Sequence, residues 1–185
     1  TGVSGPPPAP PVTVNAAADS LIEANEEFTI TLAAPSAGAS ITTASAAATV
    51  LNDDTSMAIA GTVASAAEGT GAGAILTYTV TRAGDTSKLQ SVHWTTSGNG
   101  LAPANAADFA GGVLPSGIVS FAIGETSKTI PLAIQGDNVP ELDESFSVAL
   151  SNAPPGVYFT KSAASGTIVN DDTVTLASIG IAGTG

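Results

Sequence analysis

Residues 137–152 read DNVPELDESFSVALSN, an acidic run that passes directly into a strand pattern. The acidic part carries four carboxylates within eight residues. The second part alternates apolar and small polar residues, with Phe146, Val148 and Leu150 on one side. A period of two indicates a β-strand with one buried face. The stretch therefore predicts a β fold with carboxylates gathered in a loop next to a buried strand.

The same stretch occurs earlier in the chain, so the sequence contains an internal repeat. Residues 14–54 align with residues 132–172 over 41 positions without a gap, and twelve positions are identical. The identities fall mainly on acids and on core apolar residues such as Phe28 and Phe146. A fixed offset of 118 residues predicts tandem units. The predicted segments are a Pro-rich linker (1–11), the C-terminal half of a repeat (12–54), a complete repeat (55–172), and the first strand of a following repeat or a tail (173–185).

Strand patterns fill the complete repeat, with turn residues between them. This arrangement predicts an antiparallel sandwich of about seven strands. The predicted inward rows are Leu76, Tyr78 and Val80; Val119, Phe121 and Ile123; Ile130, Leu132 and Ile134; and Phe146, Val148 and Leu150. In the half-repeat, strands are expected near residues 11–15, 27–33 and 46–51. Residues 15–27 contain good helix formers, but the repeat partner holds Gly136 and Pro140, so an acidic loop is expected there.

Charge and composition exclude several classes of function. The net charge is −12, from 16 acids against four bases, which argues against nucleic-acid binding. No apolar run is long enough to cross a membrane, so membrane insertion is not expected. The absence of cysteine excludes disulfides, thiolate zinc sites and a cysteine nucleophile. The acids therefore serve either as a solvated surface or as cation sites.

A catalytic role is not expected either. His93 is the one histidine, and nothing in the sequence places an acid and a nucleophile beside it. Glu141 and Glu144 have the composition of a glycosidase pair, but they recur as Glu23 and Glu26 in the repeat, which favours ligation. Trp94 is interpreted as a core residue of the sandwich.

Several motifs together resemble the Calx-beta domain family. They are residues 137–152, the closing run at residues 166–172, and Ala67-Glu68-Gly69 and Ala107-Asp108-Phe109 upstream. The resemblance covers the complete repeat and the half-repeat before it. It implies an immunoglobulin-like sandwich of two antiparallel sheets, with calcium ions held at one end.

The resemblance also implies the ligands, residue by residue. They are Glu68, Asp108, Asp137, the backbone carbonyl of Val139, Glu141, Glu144, Asp171 and Asp172. A partial second site is implied at Asp19, Glu23, Glu26, Asp53 and Asp54. Gly136 and Asn170 stand where calcium-rich family members often carry acids, so about one to three ions are expected.

The expected function is a calcium-binding structural or adhesive repeat of an extracellular or cell-surface protein, with calcium stiffening the sandwich and the junctions between repeats. Two alternatives stay open: a subunit of an extracellular filament joined by strand exchange, and a regulatory calcium sensor of a transporter. The expected partners are calcium ions, other repeats or copies of the same protein, and a surface ligand that the residues do not identify. Without an initiator Met or a signal peptide, the chain is expected to be a piece of a longer protein.

Overall fold

The structure is a computed structural model that describes residues 11–174, and it divides the chain into two compact units between residues 52 and 53. The predicted Pro-rich linker and the predicted strand after residue 172 lie outside the described residues, except for residues 11, 173 and 174, which have no regular structure. Between residues 11 and 174 no helix is long and apolar enough to span a bilayer. The one helical element described there is a short 3-10 helix, Ala106–Asp108.

The first unit, residues 11–52, contains one antiparallel pair of strands. Strand β1 is Glu26–Thr31 and strand β2 is Ser45–Val50, with Phe28 opposite Ala48. Residues 15–25 form a loop and not a helix, which confirms the prediction based on Gly136 and Pro140. The strand predicted at residues 11–15 is wrong, because these residues have no strand neighbour in the unit and are irregular. A strand needs a hydrogen-bonding partner that a local sequence pattern cannot supply.

The second unit, residues 53–174, is a two-layered sandwich. One sheet has the order β10-β3-β5-β8 and the other the order β4-β11-β9-β6-β7. The strands are β3 (Thr55–Val63), β4 (Ser65–Ala67), β5 (Ala72–Gly84), β6 (Gln90–Asn99), β7 (Ser116–Phe121), β8 (Ser127–Gln135), β9 (Glu144–Ser151), β10 (Val157–Lys161) and β11 (Ala163–Val169). The all-β sandwich class is therefore confirmed.

Two extended segments of the second unit pass from one sheet to the other. The first is interrupted at Ala64, between β3 and β4, and the second at Ser162, between β10 and β11. Each segment contributes to both sheets, so nine strands are described where about seven were expected. Counted as continuous extended segments, β3 with β4 and β10 with β11 make the number seven.

The core lies between the two sheets and follows the predicted alternation. Leu76, Tyr78 and Val80 are fully buried, and so is Phe146 opposite them. The Phe146 ring meets Phe109 edge-to-face at 5.3 Å between ring centroids, a favourable geometry for aromatic pairs. Ile123 was expected to be buried and is instead exposed. Strand β7 ends at Phe121 because Gly124 turns the chain at a φ of 80°.

Strand direction brings several chain segments to one end of the sandwich. Strand β11 runs parallel to β4, with Val169 opposite Ala67, so both strands end at the same level. Strand β9 runs antiparallel to β11, with Glu144 opposite Ile168, so β9 begins where β11 ends. The acids that follow β4, precede β9 and follow β11 therefore meet at this end.

Candidate metal centre

The first carboxylate cluster is built on the paired ends of β4 and β11. The backbone N–H of Glu68 donates to the carbonyl of Val169 at 3.0 Å, which fixes Glu68 beside the end of β11. The next N–H, that of Gly69, donates to Asp171 Oδ1 at 3.1 Å. Carboxylate oxygens of Glu68, Asp171 and Asp172 lie within 4.8 Å of one another. The Glu68 residue is only 5% exposed, so this cluster reaches into the protein.

The second cluster joins the 3-10 helix to the loop before β9. Carboxylate oxygens of Asp108, Glu141 and Glu144 lie within 4.8 Å of one another. Asp108 is oriented by a capping box, in which its Oδ2 accepts from the N–H of Asn105 at 2.6 Å while Asn105 Oδ1 accepts from Ala107. Glu144 is the first residue of β9 and hydrogen-bonds the Asp108 carboxyl.

The acidic loop between β8 and β9 is shaped by its own polar side chains. Asp137 accepts from the N–H of Val139 at 2.6 Å. Asn170 Oδ1 accepts from the N–H of Glu141 at 3.1 Å, and the N–H of Asn170 donates to Asp143 at 3.1 Å. Asn170 therefore connects the loop to the end of β11 by these two hydrogen bonds. A carboxylate at this position could also accept the bond from Glu141. The family resemblance indicates Asn170 only as a position where an acid is missing. The ligand role of the Val139 carbonyl stays a prediction.

Burial and like charges together disfavour ionisation of the clustered acids. Burial is the main cause that raises the pKa of Glu144 to about 8, and the hydrogen bond to Asp108 and the charges of Asp108, Glu141 and Glu68 add to it. Burial also raises the pKa of Glu68, assisted by Asp137, Glu141, Asp172 and Asp171. The pKa of Asp172 is raised by burial and then by the charges of Asp171 and Asp137. Asp137 therefore belongs electrostatically to the same centre, and the two clusters influence each other.

Two buried oxygens in this centre have no hydrogen-bond partner in the described chain. They are Glu68 Oε1 and Asp172 Oδ2. The two ion pairs found in the described residues lie elsewhere, between Lys88 and Asp85 and between Lys128 and Glu125. Leaving a buried polar oxygen unpaired costs free energy. An all-oxygen donor set with unpaired buried oxygens fits a hard cation such as Ca²⁺ or Mg²⁺.

Gly136 turns out to be a packing position and not simply a lost ligand. A Cβ atom there would lie 2.0 Å from the carbonyl oxygen of Gly69 and 2.5 Å from that of Glu68. Only glycine lets the acidic loop pass this close to the loop that carries Glu68. The glycine therefore has a packing role in this backbone in addition to lacking the carboxylate that calcium-rich family members often carry there.

We expect Gly136→Ala to destabilise the second unit by about 1–3 kcal/mol, because the added methyl group must push two backbone segments apart. Thermal unfolding followed by the fluorescence of Trp94 measures this loss. An unchanged midpoint would contradict the close approach.

The residues of the implied second site are divided between the two units. Asp19, Glu23 and Glu26 belong to the first unit, while Asp53 and Asp54 begin the second. The carboxylate of Asp19 accepts from the N–H of Leu21 at 2.8 Å, and the backbone N–H of Glu23 donates to Asn52 Oδ1 at 3.1 Å. A common ion held by all five acids stays a prediction.

Sequence reasoning missed the residues that position the ligands. Asn105, Asp143 and Asn170 bind backbone groups and hold the loops in place. The Asn-Ala-Ala-Asp run at residues 105–108 resembles a capping box and could have predicted the role of Asn105. No local signal marks Asn170, because its partner Glu141 is 29 residues away.

Two solved structures of Calx domains are similar to this chain. A solved structure titled "Crystal structure of Apo-form Calx CBD1 domain" is 25% identical, with a TM-score of 0.55, and the match covers 64% of this chain and 99% of that one. A structure titled "Crystal structure of calcium binding domain CBD12 of CALX1.1" is 27% identical, with a TM-score of 0.50, over 62% of this chain and 44% of that one.

A curated relative shares part of the sequence. Adhesion G-protein coupled receptor V1 of Danio rerio is 42% identical over 60 residues, which is 32% of this chain and 1% of the receptor. This chain therefore spans a very small part of that protein. Residues 9–55 and residues 52–173 each match the Calx-beta domain. Together with the sandwich fold, these matches show that the chain belongs to the Calx-beta domain family.

Proposed function

We propose that the second unit binds calcium at the end of the sandwich where β4 and β11 finish and β9 begins. The proposed carboxylate ligands are Glu68, Asp108, Asp137, Glu141, Glu144, Asp171 and Asp172. Bound calcium would stiffen the unit in a structural or adhesive repeat of an extracellular or cell-surface protein, which is a binding role and not a catalytic one.

The observation that carries the proposal is the pair of adjacent carboxylate clusters, with the unpaired oxygens of Glu68 and Asp172 inside them. Calcium takes six to eight oxygen ligands, and carboxylates are the commonest of them. A cation would remove the like-charge repulsion that raises the pKa of Glu68 and Glu144. The similarity to a structure titled as a calcium binding domain supports the choice of ion. The similarity to an adhesion receptor supports the extracellular role.

Calorimetric titration with calcium tests the site directly. We expect about two ions, one for each cluster, and we expect Glu68→Gln to weaken binding by about tenfold or more, since ligand charge tunes calcium affinity. Asp85→Asn is the matched control, because Asp85 lies beyond β5 in a turn where it pairs with Lys88. If calcium produces no heat of binding with the unaltered protein, the proposal is refuted. It is also refuted if Glu68→Gln and Asp85→Asn lose the same calcium affinity.

We expect the calcium-free protein to lose stability as the pH rises from about 5 to 8. The folded Glu144 has a pKa of about 8 and an ordinary value near 4.5, so in this range the folded state holds a proton that the unfolded state releases. Stability falls with pH wherever the folded state binds more protons. Melting midpoints in chelator at several pH values measure this slope. In Glu144→Gln the melting midpoint should fall less steeply with pH. A midpoint of the unaltered protein that rises from pH 5 to 8 would contradict the raised pKa of Glu144.

A regulatory sensor is the second candidate, and the similarity to two Calx domain structures favours it. The affinity separates the two roles. Calcium sensors bind with dissociation constants of roughly 10⁻⁷–10⁻⁵ M, whereas extracellular modules bind at roughly 10⁻⁴–10⁻³ M. We expect the weaker range here, and a submicromolar constant in the same titration would favour the sensor.

A further inference from the structure

We infer that the free edge of β7 is a pairing surface for a second copy of this chain, which adds its own β7 in the antiparallel direction. The pairing is centred on Ile118, so that each copy contributes the same strand and the two five-stranded sheets join into one. The pairing uses the side of the sandwich and does not depend on calcium binding.

The two sheets of the second unit have four edge strands, and three of these carry features that hinder the addition of another strand. Strand β4 has only three residues. Strand β8 contains Lys128 and Pro131, and β10 contains Lys161 beside an irregularity in its register. Strand β7 has none of these features, because its six residues include no charge and no proline and its register with β6 is regular. Strand β7 is therefore the unprotected edge of the sandwich.

The hydrogen-bond ladder of β7 leaves three residues turned to the outer side of the sheet. The N–H of Thr96 donates to the carbonyl of Pro115 at 3.0 Å, which sets the phase of the ladder between β6 and β7. Because hydrogen-bonded pairs alternate in an antiparallel ladder, the N–H and C=O groups of Ser116, Ile118 and Ser120 point away from β6. Within the described residues, β6 is the one strand that pairs with β7. The three outer residues thus present a row of donors and acceptors that an added strand would fill.

The outer side of β7 is self-complementary. In an antiparallel pair centred on Ile118, this residue lies opposite Ile118 of the second copy, and Ser116 lies opposite Ser120. All three side chains are exposed, and Ile118 is 60% exposed. The two isoleucines would shield each other from water. Each serine pair would repeat the contact that Ser120 already makes with Ser91, at 2.9 Å between the hydroxyl oxygens. A strand that matches itself in this way indicates a second copy as the occupant.

Charge repulsion between two copies is small at this edge, although the net charge of the chain is −12. Strands β6 and β7 contain no Asp, Glu, Lys or Arg. More distant charges are screened at physiological salt, where the Debye length is about 8 Å. A contact of one strand with one strand buries little area, and small interfaces belong to transient complexes. We therefore expect a dimer that exchanges with the monomer.

The first test is the mass of the full chain in solution as its concentration is raised, in calcium and in chelator. We expect the mass to rise towards twice that of the monomer in both conditions. Ile118→Lys should keep the chain monomeric, because it sets two like charges opposite each other. Ile123→Lys is the matched control, since Ile123 is 67% exposed but lies outside β7, and it should leave the association unchanged. A chain that stays monomeric up to about 1 mM, or a dimer that persists in Ile118→Lys, would overturn the inference.

A mixture of two variants separates loss of pairing from loss of folding. Ile118→Glu should be monomeric alone, for the same reason as Ile118→Lys. Mixed in equal amounts, the two variants should form a dimer of one copy of each, because opposite charges then lie across the pair. This restored dimer also requires that both variants are folded. If the mixture stays monomeric while the unaltered chain dimerises, residue 118 does not face its own counterpart and the inference fails.

Single cysteines test the register, because the chain contains no cysteine of its own. Ile118→Cys should give a disulfide-linked dimer under mild oxidation, since Cα atoms of directly opposed residues lie about 5.5 Å apart, within reach of a disulfide. Ser116→Cys and Ser120→Cys should link to each other when mixed. Each alone should link poorly, because four residues along a strand amount to about 13 Å. Links within either serine variant as frequent as those in the mixture would overturn the proposed pairing.

Discussion

Replacing Phe146 by alanine is expected to lower the free energy of unfolding of the second unit by about 3–5 kcal/mol, the usual cost of removing a buried phenylalanine. Phe146 is fully buried and contacts Phe109 and Tyr78 edge-to-face across the sandwich. The substitution removes both aromatic contacts and leaves a cavity between the sheets. Chemical denaturation followed by Trp94 measures the loss, because Trp94 is the one tryptophan and packs against this core.

The repeat supplies a matched control for this prediction. Phe28 occupies the equivalent position of β1, but it is only partly buried. Phe28→Ala is expected to change stability by no more than about 0.5 kcal/mol, as is usual for a substitution outside a packed core. Backbone circular dichroism, which follows both units, detects any loss in the first one. Equal losses in the two variants would mean that the first unit has a closed core of its own.

The sandwich itself could be predicted because its signal is local and repeated. The alternation of Leu76, Tyr78 and Val80 defines a buried face without any knowledge of the partner strand. Ile123 likewise continues the alternation of Val119 and Phe121, yet it is exposed. Strand β7 ends at Phe121, and the chain turns at Gly124. A pattern thus indicates which face of a strand is buried more reliably than where the strand ends.

The candidate site could be predicted only as a list of residues. The family resemblance implied Glu68, Asp108 and the later acids as ligands, but not the division of these acids into two clusters. That division depends on long-range contacts, such as the bond from Gly69 to Asp171, which spans 102 residues. The packing role of Gly136 could not be predicted for the same reason, since its neighbours Glu68 and Gly69 are distant in sequence.

Calcium is expected to raise the free energy of unfolding of the second unit by about 2.7 kcal/mol at a hundredfold excess over the dissociation constant. The reason is mass action, because the clustered ligands come together only in the folded chain. For a unit of this size the gain corresponds to an increase of about 10 °C in the melting midpoint. Melting curves in calcium and in chelator, followed by Trp94, measure the difference.

Glu144→Gln makes this test sharper, because it should act in opposite directions in the two conditions. Without calcium at pH 8, the variant lacks a carboxylate that burial and the charge of Asp108 make costly to ionise, so its midpoint should rise. With calcium, the variant lacks a ligand, so its gain should be smaller than that of the unaltered protein. Magnesium is the control ion, since it prefers a small octahedral shell that keeps its own waters, and it should give a smaller shift. An equal shift with magnesium, or a variant that is less stable in chelator, would mean that the clusters do not form the proposed calcium site.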